Sequence, residues 1–258
     1  MPDTRGLVKQ QFSANAEHYV ASTDHSQGES LDRMLVLAAP QAGWRVLDIA
    51  TGGGHTALAF APHVREVVAT DLTPEMLAAA ERHIRGLGVT NVVFREADAM
   101  ALPFDDGEFD LVTCRVAPHH FPDCAQFVRE MARVLRPGGT AVMVDNVVPE
   151  DIAVARHINA FEKLRDRSHN WAYPAADWLG FFAAAGLEVI ASEMFRKARD
   201  FDHWSDMVGV DEKTRTQLRV MLLQAPEPAR EALAPEIVGG KLRFYLTEVL
   251  VVASKNAQ

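Results

Sequence analysis

The 258-residue chain predicts a doubly wound α/β fold on a mostly parallel, seven-stranded sheet. Three observations carry that expectation: short apolar runs alternate with segments of helical period, the first such turn is rich in glycine, and successive apolar runs end in an acid. Composition permits it, since 48% hydrophobic and 24% charged residues suit a globular chain with a sizeable core.

Residues 1–30 are polar, yet Val8, Phe12, Ala16 and Tyr19 recur at helical spacing. An amphipathic helix is expected there, either packed on the body or closing over a ligand. Leu31, Met34, Leu35 and Ala38 repeat the period, and Pro40 and Gly43 stop that helix. Val46, Leu47 and Ile49 make the first strand, with Asp48 at its end. Gly52 and Gly54 follow, and without a Cβ they let the backbone turn tightly and approach a ligand closely. After a helical segment, Val67, Val68 and Ala69 form a second strand closed by Asp71. Open α/β sheets bind ligands at the carboxyl ends of their strands, so residues 44–73 read as a nucleotide-type cofactor site. Gly52, Gly54 and Ala57 also satisfy a loose dinucleotide fingerprint with Asp71 at a suitable distance. The glycine turn alone therefore leaves the cofactor open.

Thr73-Pro74 reads as an N-cap with proline at the first helical position; Leu77, Ala80 and Ile84 form the buried face, and Gly86 and Gly88 the end. Residues 91–95 are a third strand with Asp98 just beyond it, and Asp105-Asp106-Gly107 is turn chemistry. Residues 109–115 form a fourth strand, leading into His119 and His120. Asp123 caps a helix with Phe127, Met131 and Leu135 on one face, and residues 136–139 (R-P-G-G) turn the chain into a fifth strand at 140–145. The pattern then changes. Val154, Ile158, Phe161 and Leu164 mark an amphipathic helix, and residues 165–171 a polar and aromatic connector. Residues 175–185 are helical, 187–194 a sixth strand, 201–235 helical with breaks at Pro226 and Pro228, and 242–254 a long closing strand. No repeat or low-complexity linker intervenes. One domain over residues 1–258 is expected, with a helical flap (1–40), a cofactor-binding core (41–150), and cover helices with closing strands (151–258).

A formal net charge of -9 argues against nucleic acid as the main partner. The N-terminus lacks a signal-type apolar region and the longest apolar stretch, residues 249–253, is too short to span a bilayer, so a cytoplasmic location is expected. Cys114 and Cys124 have no metal-ligand or redox spacing and read as buried small hydrophobes. Asp145 and Asn146 follow the fifth strand without an evident third ligand, so no metal site is expected. An oligomer is compatible with the chain.

With these pieces placed, the chain resembles class I S-adenosylmethionine-dependent methyltransferases, in particular the small-molecule branch that includes the ubiquinone and menaquinone biosynthesis methyltransferases. V-L-D-I-A-T-G-G-G-H is similar to the family's first motif, V-V-A-T-D-L-T-P-E-M-L to its second acidic region, and E-A-D-A-M-A-L-P-F to its adenine region. F-D-L-V-T-C-R-V-A-P-H-H-F and V-L-R-P-G-G follow in the family's order. The likeness is closest over residues 10–150, and the layout continues to the end of the chain. One departure is Ala50, which stands at the family's first glycine, where a methyl group is expected to fit at negative φ.

The resemblance implies a Rossmann-like methyltransferase fold, S-adenosylmethionine as cofactor and a small-molecule acceptor. It implies that Asp71 accepts hydrogen bonds from both ribose hydroxyls and Asp98 from the adenine amino group, with the Ala99 N–H facing the ring and Leu72 packing on it. The turn at Ala50, Gly52 and Gly54 would lie against the methionine part, with the Ala50 and Arg115 carbonyls near its ammonium and Asp48 bracing that end. Phe12 and Tyr19 match the family's F-x-x-x-A-x-x-Y pattern and would close over the cofactor. Asp48 and Asp98 could equally brace turns, and Phe12 and Tyr19 could be core.

Methyl transfer is an in-line displacement for which the protein supplies alignment and exclusion of water. An O–H or acidic C–H acceptor benefits from a base, and His119 and His120 are the candidates, the alternative being that they order their loop. Arg165, His169 and Trp171 are candidates for the acceptor pocket. Two rival functions share the glycine turn: an NAD(P)-dependent oxidoreductase, and a non-methylating S-adenosylmethionine-binding protein of the same fold.

Overall fold

Most apolar runs of the first half have almost no polar face and the fold buries them on both sides, whereas the run at residues 92–96 leaves Val93, Arg95 and Glu96 exposed. In the structure, a computed structural model that describes residues 4–21 and 28–257, five of them form parallel strands. These are β1 (Arg45–Ile49), β2 (Glu66–Asp71), β3 (Val92–Glu96), β4 (Phe109–Arg115) and β5 (Leu135–Val147), in the order β3-β2-β1-β4-β5. The helices between and before them are α1 (Thr4–Ala21), α2 (Glu29–Ala38), α3 (His55–Phe60), α4 (Pro74–Gly86) and α5 (Cys124–Val134). Beyond β5 come α6 (Ile152–Arg165), α7 (Ala175–Ala184), β6 (Leu187–Asp200), α8 (Phe201–Asp206), α9 (Glu212–Leu223), α10 (Glu227–Leu233), β7 (Glu236–Val238) and β8 (Lys241–Lys255).

Two helical layers cover the sheet. Met34 of α2, Phe60 of α3 and Ile84 of α4 fill one face, and Phe127 and Met131 of α5 with Trp178 and Phe182 of α7 fill the other. The closing strand β8 runs antiparallel between β5 and β6, so its apolar segment at 249–253 is the buried centre of the sheet's second half. Cys114 and Cys124 are free and buried in this core. Among the described residues no helix is long and apolar enough to cross a membrane.

Several boundaries move. β6 continues to Asp200 and β8 begins at Lys241, and their paired ends project past β5 as a ribbon. Phe161, Trp204, Leu218 and Phe244 form a separate apolar cluster where α6, α8 and α9 cover that ribbon. A short eighth strand, β7, joins β8 through Gly239 and Gly240, both at positive φ, which makes a tight two-residue hairpin possible. Three residues are too few to show alternation. β5 starts at Leu135, and residues 136–139 bulge out between its pairings to Phe109 and Leu111. Thr73 precedes α4 but its side chain makes no capping bond; Asp71 Oδ1 instead accepts the Thr73 N–H at 3.0 Å.

The conformation expected at Ala50 is overturned. Its φ is +53°, in the left-handed region, because the chain must reverse at once from the tip of β1 into the turn. Gly54, at φ +82°, is a glycine for a second reason: a Cβ there would stand 2.8 Å from Ile84 Cδ1. Ala50→Gly is therefore expected to raise stability by about 0.5–1 kcal/mol, the strain relieved less the entropy returned to the unfolded chain. Urea unfolding checks this, and a lower midpoint at unchanged slope would contradict it.

Candidate active site

Parallel strands bring four loops to one edge of the sheet. Ala50 to Gly53 after β1, Asp71 and Leu72 at the end of β2, Asp98 and Ala99 after β3, and Arg115 and Val116 at the end of β4 line one cleft. Helix α1 roofs it with Val8, Phe12 and Tyr19, while Ala16 on the same helix packs against Met76 and Ala79 of α4. The roof is fastened at several points: Lys9 pairs with Glu96 at 3.3 Å, Ser13 donates to Glu75 at 2.9 Å, and Glu17 pairs with Arg82. His55 Nε2 also lies 2.9 Å from the Tyr19 carbonyl oxygen, and a Cβ on Gly53 would come within 2.8 Å of that oxygen. Both residues stood in the G-G-G-H motif, but the roof that gives them their roles was not visible there.

The acids differ in what they face. Asp71 is buried at the rim; its Oδ2 accepts the Gly52 N–H and its Oδ1 the Thr73 N–H, both at 3.0 Å. Burial raises its pKa, and these two bonds partly offset that. Asp98 accepts the Met100 N–H at 2.9 Å and pairs with Arg5 of α1 at 2.7 Å. Ala99 and Leu72 lie on the cleft wall beside them. Asp48 and Gly54 lie behind the wall. Asp48 Oδ2 accepts from Thr51 Oγ1 at 2.6 Å and Oδ1 from Thr113 Oγ1 at 2.8 Å. Arg115 reaches back so that its Nε donates to Thr56 Oγ1 at 3.2 Å.

A second cavity adjoins the cleft under the cover helices. Phe12, Tyr19, Val116 and His120 line both. Val116 has φ +54°, a conformation that a β-branched residue adopts only under strain, and no sequence signal marked it.

Three histidine rings meet at this junction, His119 and His120 with centroids 4.2 Å apart and His119 and His169 5.4 Å apart. Each has a different anchor. His119 Nδ1 donates to Asp145 Oδ1 at 2.6 Å. Burial would lower its pKa, but the Asp145 charge and hydrogen bond outweigh that and hold it above 6.5. His120 Nδ1 lies 3.1 Å from Ser168 Oγ, and burial together with the neighbouring His119 charge pushes its pKa down to about 3. His169 Nε2 donates to Asn159 Oδ1 at 2.8 Å, and burial first, then the other histidines, hold it neutral.

Arg165 lines the second cavity with its Nε donating to the Trp204 carbonyl at 2.9 Å and its guanidinium 4.6 Å from that ring. Trp171 does not line either cavity; its backbone N–H donates to the His119 carbonyl at 3.0 Å. Glu162 and Asp166, which no sequence motif marked, line the second cavity as well. A signal for Glu162 existed, since it falls four residues after Ile158 and next to Phe161 on the buried face of α6.

Residues 47–143 match the family model described as a methyltransferase domain. The chain is 36% identical over 247 residues to YcgJ of Bacillus subtilis, described as an uncharacterized methyltransferase, covering 95% of this chain and 98% of that protein. The crystal structure of YcgJ superposes with a TM-score of 0.83 at 35% identity, over 88% of this chain and 98% of that one. A demethylmenaquinone methyltransferase of Thermus thermophilus is 44% identical over 115 residues, 44% of this chain and 52% of that protein.

The carboxyl of Asp48 has a consequence for stability. Burial pushes its pKa from 3.8 up to about 6, so between these values the folded chain holds a proton that the unfolded chain has released. Stability contributed below pH 4 is lost as the pH rises through about 6, by a sum on the order of 3 kcal/mol. Asp48→Asn, which keeps one acceptor and gains a donor for the two threonines, is expected to remove this loss. Urea unfolding of both proteins from about pH 4 to 7 measures it; parallel pH profiles would refute it.

Proposed function

This chain belongs to the class I S-adenosylmethionine-dependent methyltransferases, and on that premise we propose that the acid-rimmed cleft holds the cofactor and the adjoining cavity a small-molecule acceptor. The single observation that carries this reading is the junction: two cavities share a wall of Phe12, Tyr19, Val116 and His120, with acids on one side and an anchored histidine on the other.

The residues present fit the cofactor. Asp71 has spare lone pairs beside its two backbone bonds and would take the ribose hydroxyls; Asp98, with Ala99 and Leu72 next to it, would take the adenine end. The turn at Ala50 and Gly52, with the Arg115 loop opposite, would receive the methionine part. Asp48 supports that turn from behind through Thr51. Phe12 and Tyr19 would exclude water from above. When bound, the cofactor supplies an electrophilic methyl group for in-line displacement.

Of the two candidate bases, His119 is the better placed. With Nδ1 held by Asp145, its Nε2 is left to take the proton that an acceptor O–H or ammonium gives up. His120 stays neutral and edge-on to Phe12, ring centroids 5.1 Å apart, as a wall between the cavities. Asp145 acts through His119, as a positioning residue.

Titration calorimetry with S-adenosylhomocysteine tests the cofactor site. One molecule is expected to bind per chain, and Asp71→Asn to weaken it by roughly tenfold or more through loss of charge-assisted bonds. Preferential binding of NADH would overturn the assignment. For the base, His119→Ala is expected to lower kcat by roughly a hundredfold or more with S-adenosylhomocysteine affinity unchanged. Because His119 must be neutral to act and sits above 6.5, the acid limb of kcat lies above that pH. Asp145→Asn leaves burial dominant and moves the limb to lower pH. A limb that stays in place would show that another group titrates.

A further inference from the structure

The wall of the second cavity carries polar atoms that the protein does not satisfy. Glu162 is 6% exposed and Asn146 9%, both line the cavity, and Glu162 Oε1 and Asn146 Oδ1 have no hydrogen-bond partner among the described residues. Both atoms are acceptors. A buried unpaired acceptor costs about 1–3 kcal/mol, more when charged, and native folds seldom leave one without cause. Three cationic groups lie near Glu162, the guanidinium groups of Arg165 and Arg199 and the His119 ring, but none of them hydrogen-bonds its Oε1, and Arg165 Nε donates instead to the Trp204 carbonyl.

Burial raises the Glu162 carboxyl above its usual range, although the nearby Arg165, His119 and Arg199 charges work against that. The two acceptors converge on the cavity from different elements, Glu162 from α6 and Asn146 from the end of β5, one residue past the Asp145 that anchors His119. They therefore face the same space as the proposed base.

We propose that the methyl acceptor is a small polar molecule with two hydrogen-bond donors: the group that is methylated, beside His119, and a second O–H or N–H that donates to Glu162 or Asn146. This deepens the acceptor-pocket reading above and rests on it. A site built to accept such a bond rejects analogues that lack the donor, since binding them would leave its own buried polar atoms unpaired. Acceptors whose far end is apolar are excluded on the same ground.

The test uses the full chain loaded with S-adenosylhomocysteine and four single-ring probes, followed by calorimetry and saturation-transfer NMR. Resorcinol carries two hydroxyls and tyramine a hydroxyl and an ammonium, whereas phenol and p-cresol carry one donor. The two-donor probes are expected to bind at least tenfold more tightly than the one-donor probes, and Glu162→Leu to abolish the difference. A cooperative thermal transition of Glu162→Leu and unchanged binding of S-adenosylhomocysteine show that the variant is folded. Glu162→Gln separates the sources: tyramine alone weakened identifies an ammonium as the second donor, and both probes retained identifies a hydroxyl. Equal binding of one-donor and two-donor probes, a preference that survives Glu162→Leu, or no binding of any probe overturns the inference. Failure of S-adenosylhomocysteine itself to bind is a separate result, and overturns the cofactor assignment beneath it.

Discussion

One buried carboxylate ties together the strand tips on which the active site stands. Asp48 lies at the end of β1; its oxygens accept from Thr51 in the following turn and from Thr113 on β4, and its carbonyl accepts from Thr70 on β2 at 3.1 Å. Two hydroxyls hold a charge that burial disfavours, so the arrangement is rigid only as long as both threonines keep their places. The turn that approaches the cofactor inherits its position from this knot.

Strain and unsatisfied polarity concentrate around the same edge. Ala50 and Val116, at the tips of β1 and β4, both adopt positive φ, while Glu162 and Asn146 leave acceptors unpaired a short way into the second cavity. Each feature lowers stability, and the surrounding core sustains them: continuous apolar strands packed by helices on both faces, and a separate cluster under the cover helices. The distribution is that of a scaffold made stable in its interior so that its edge can be shaped for ligands.

Environment, more than residue type, divides labour among the histidines. His119, His120 and His169 are all buried, yet of the three only His119 has a carboxylate at hydrogen-bond distance, and only His119 is held above its ordinary pKa. The other two stay neutral and serve as wall and brace. Two adjacent histidines in a sequence look alike, and the distinction between them comes from Asp145, which lies 26 residues away on the neighbouring strand.

By itself the amino-acid sequence determined the alternation of strands and helices, the acids at the strand ends and the glycine turn, because these depend on local periodicity and on conformational limits of single residues. It also carried the family, through five ordered motifs that need no coordinates. It did not determine the left-handed conformation of Ala50, the bulge at residues 136–139, the short strand β7, or the roles of Gly53 and His55 under the roof of α1. Nor did it show that Asp48 is enclosed by Thr51 and Thr113, behind the wall that Asp71 lines. Those were decided by tertiary structure, since each depends on which distant segment stands opposite a residue, and periodicity along one segment holds no record of its neighbour across the sheet.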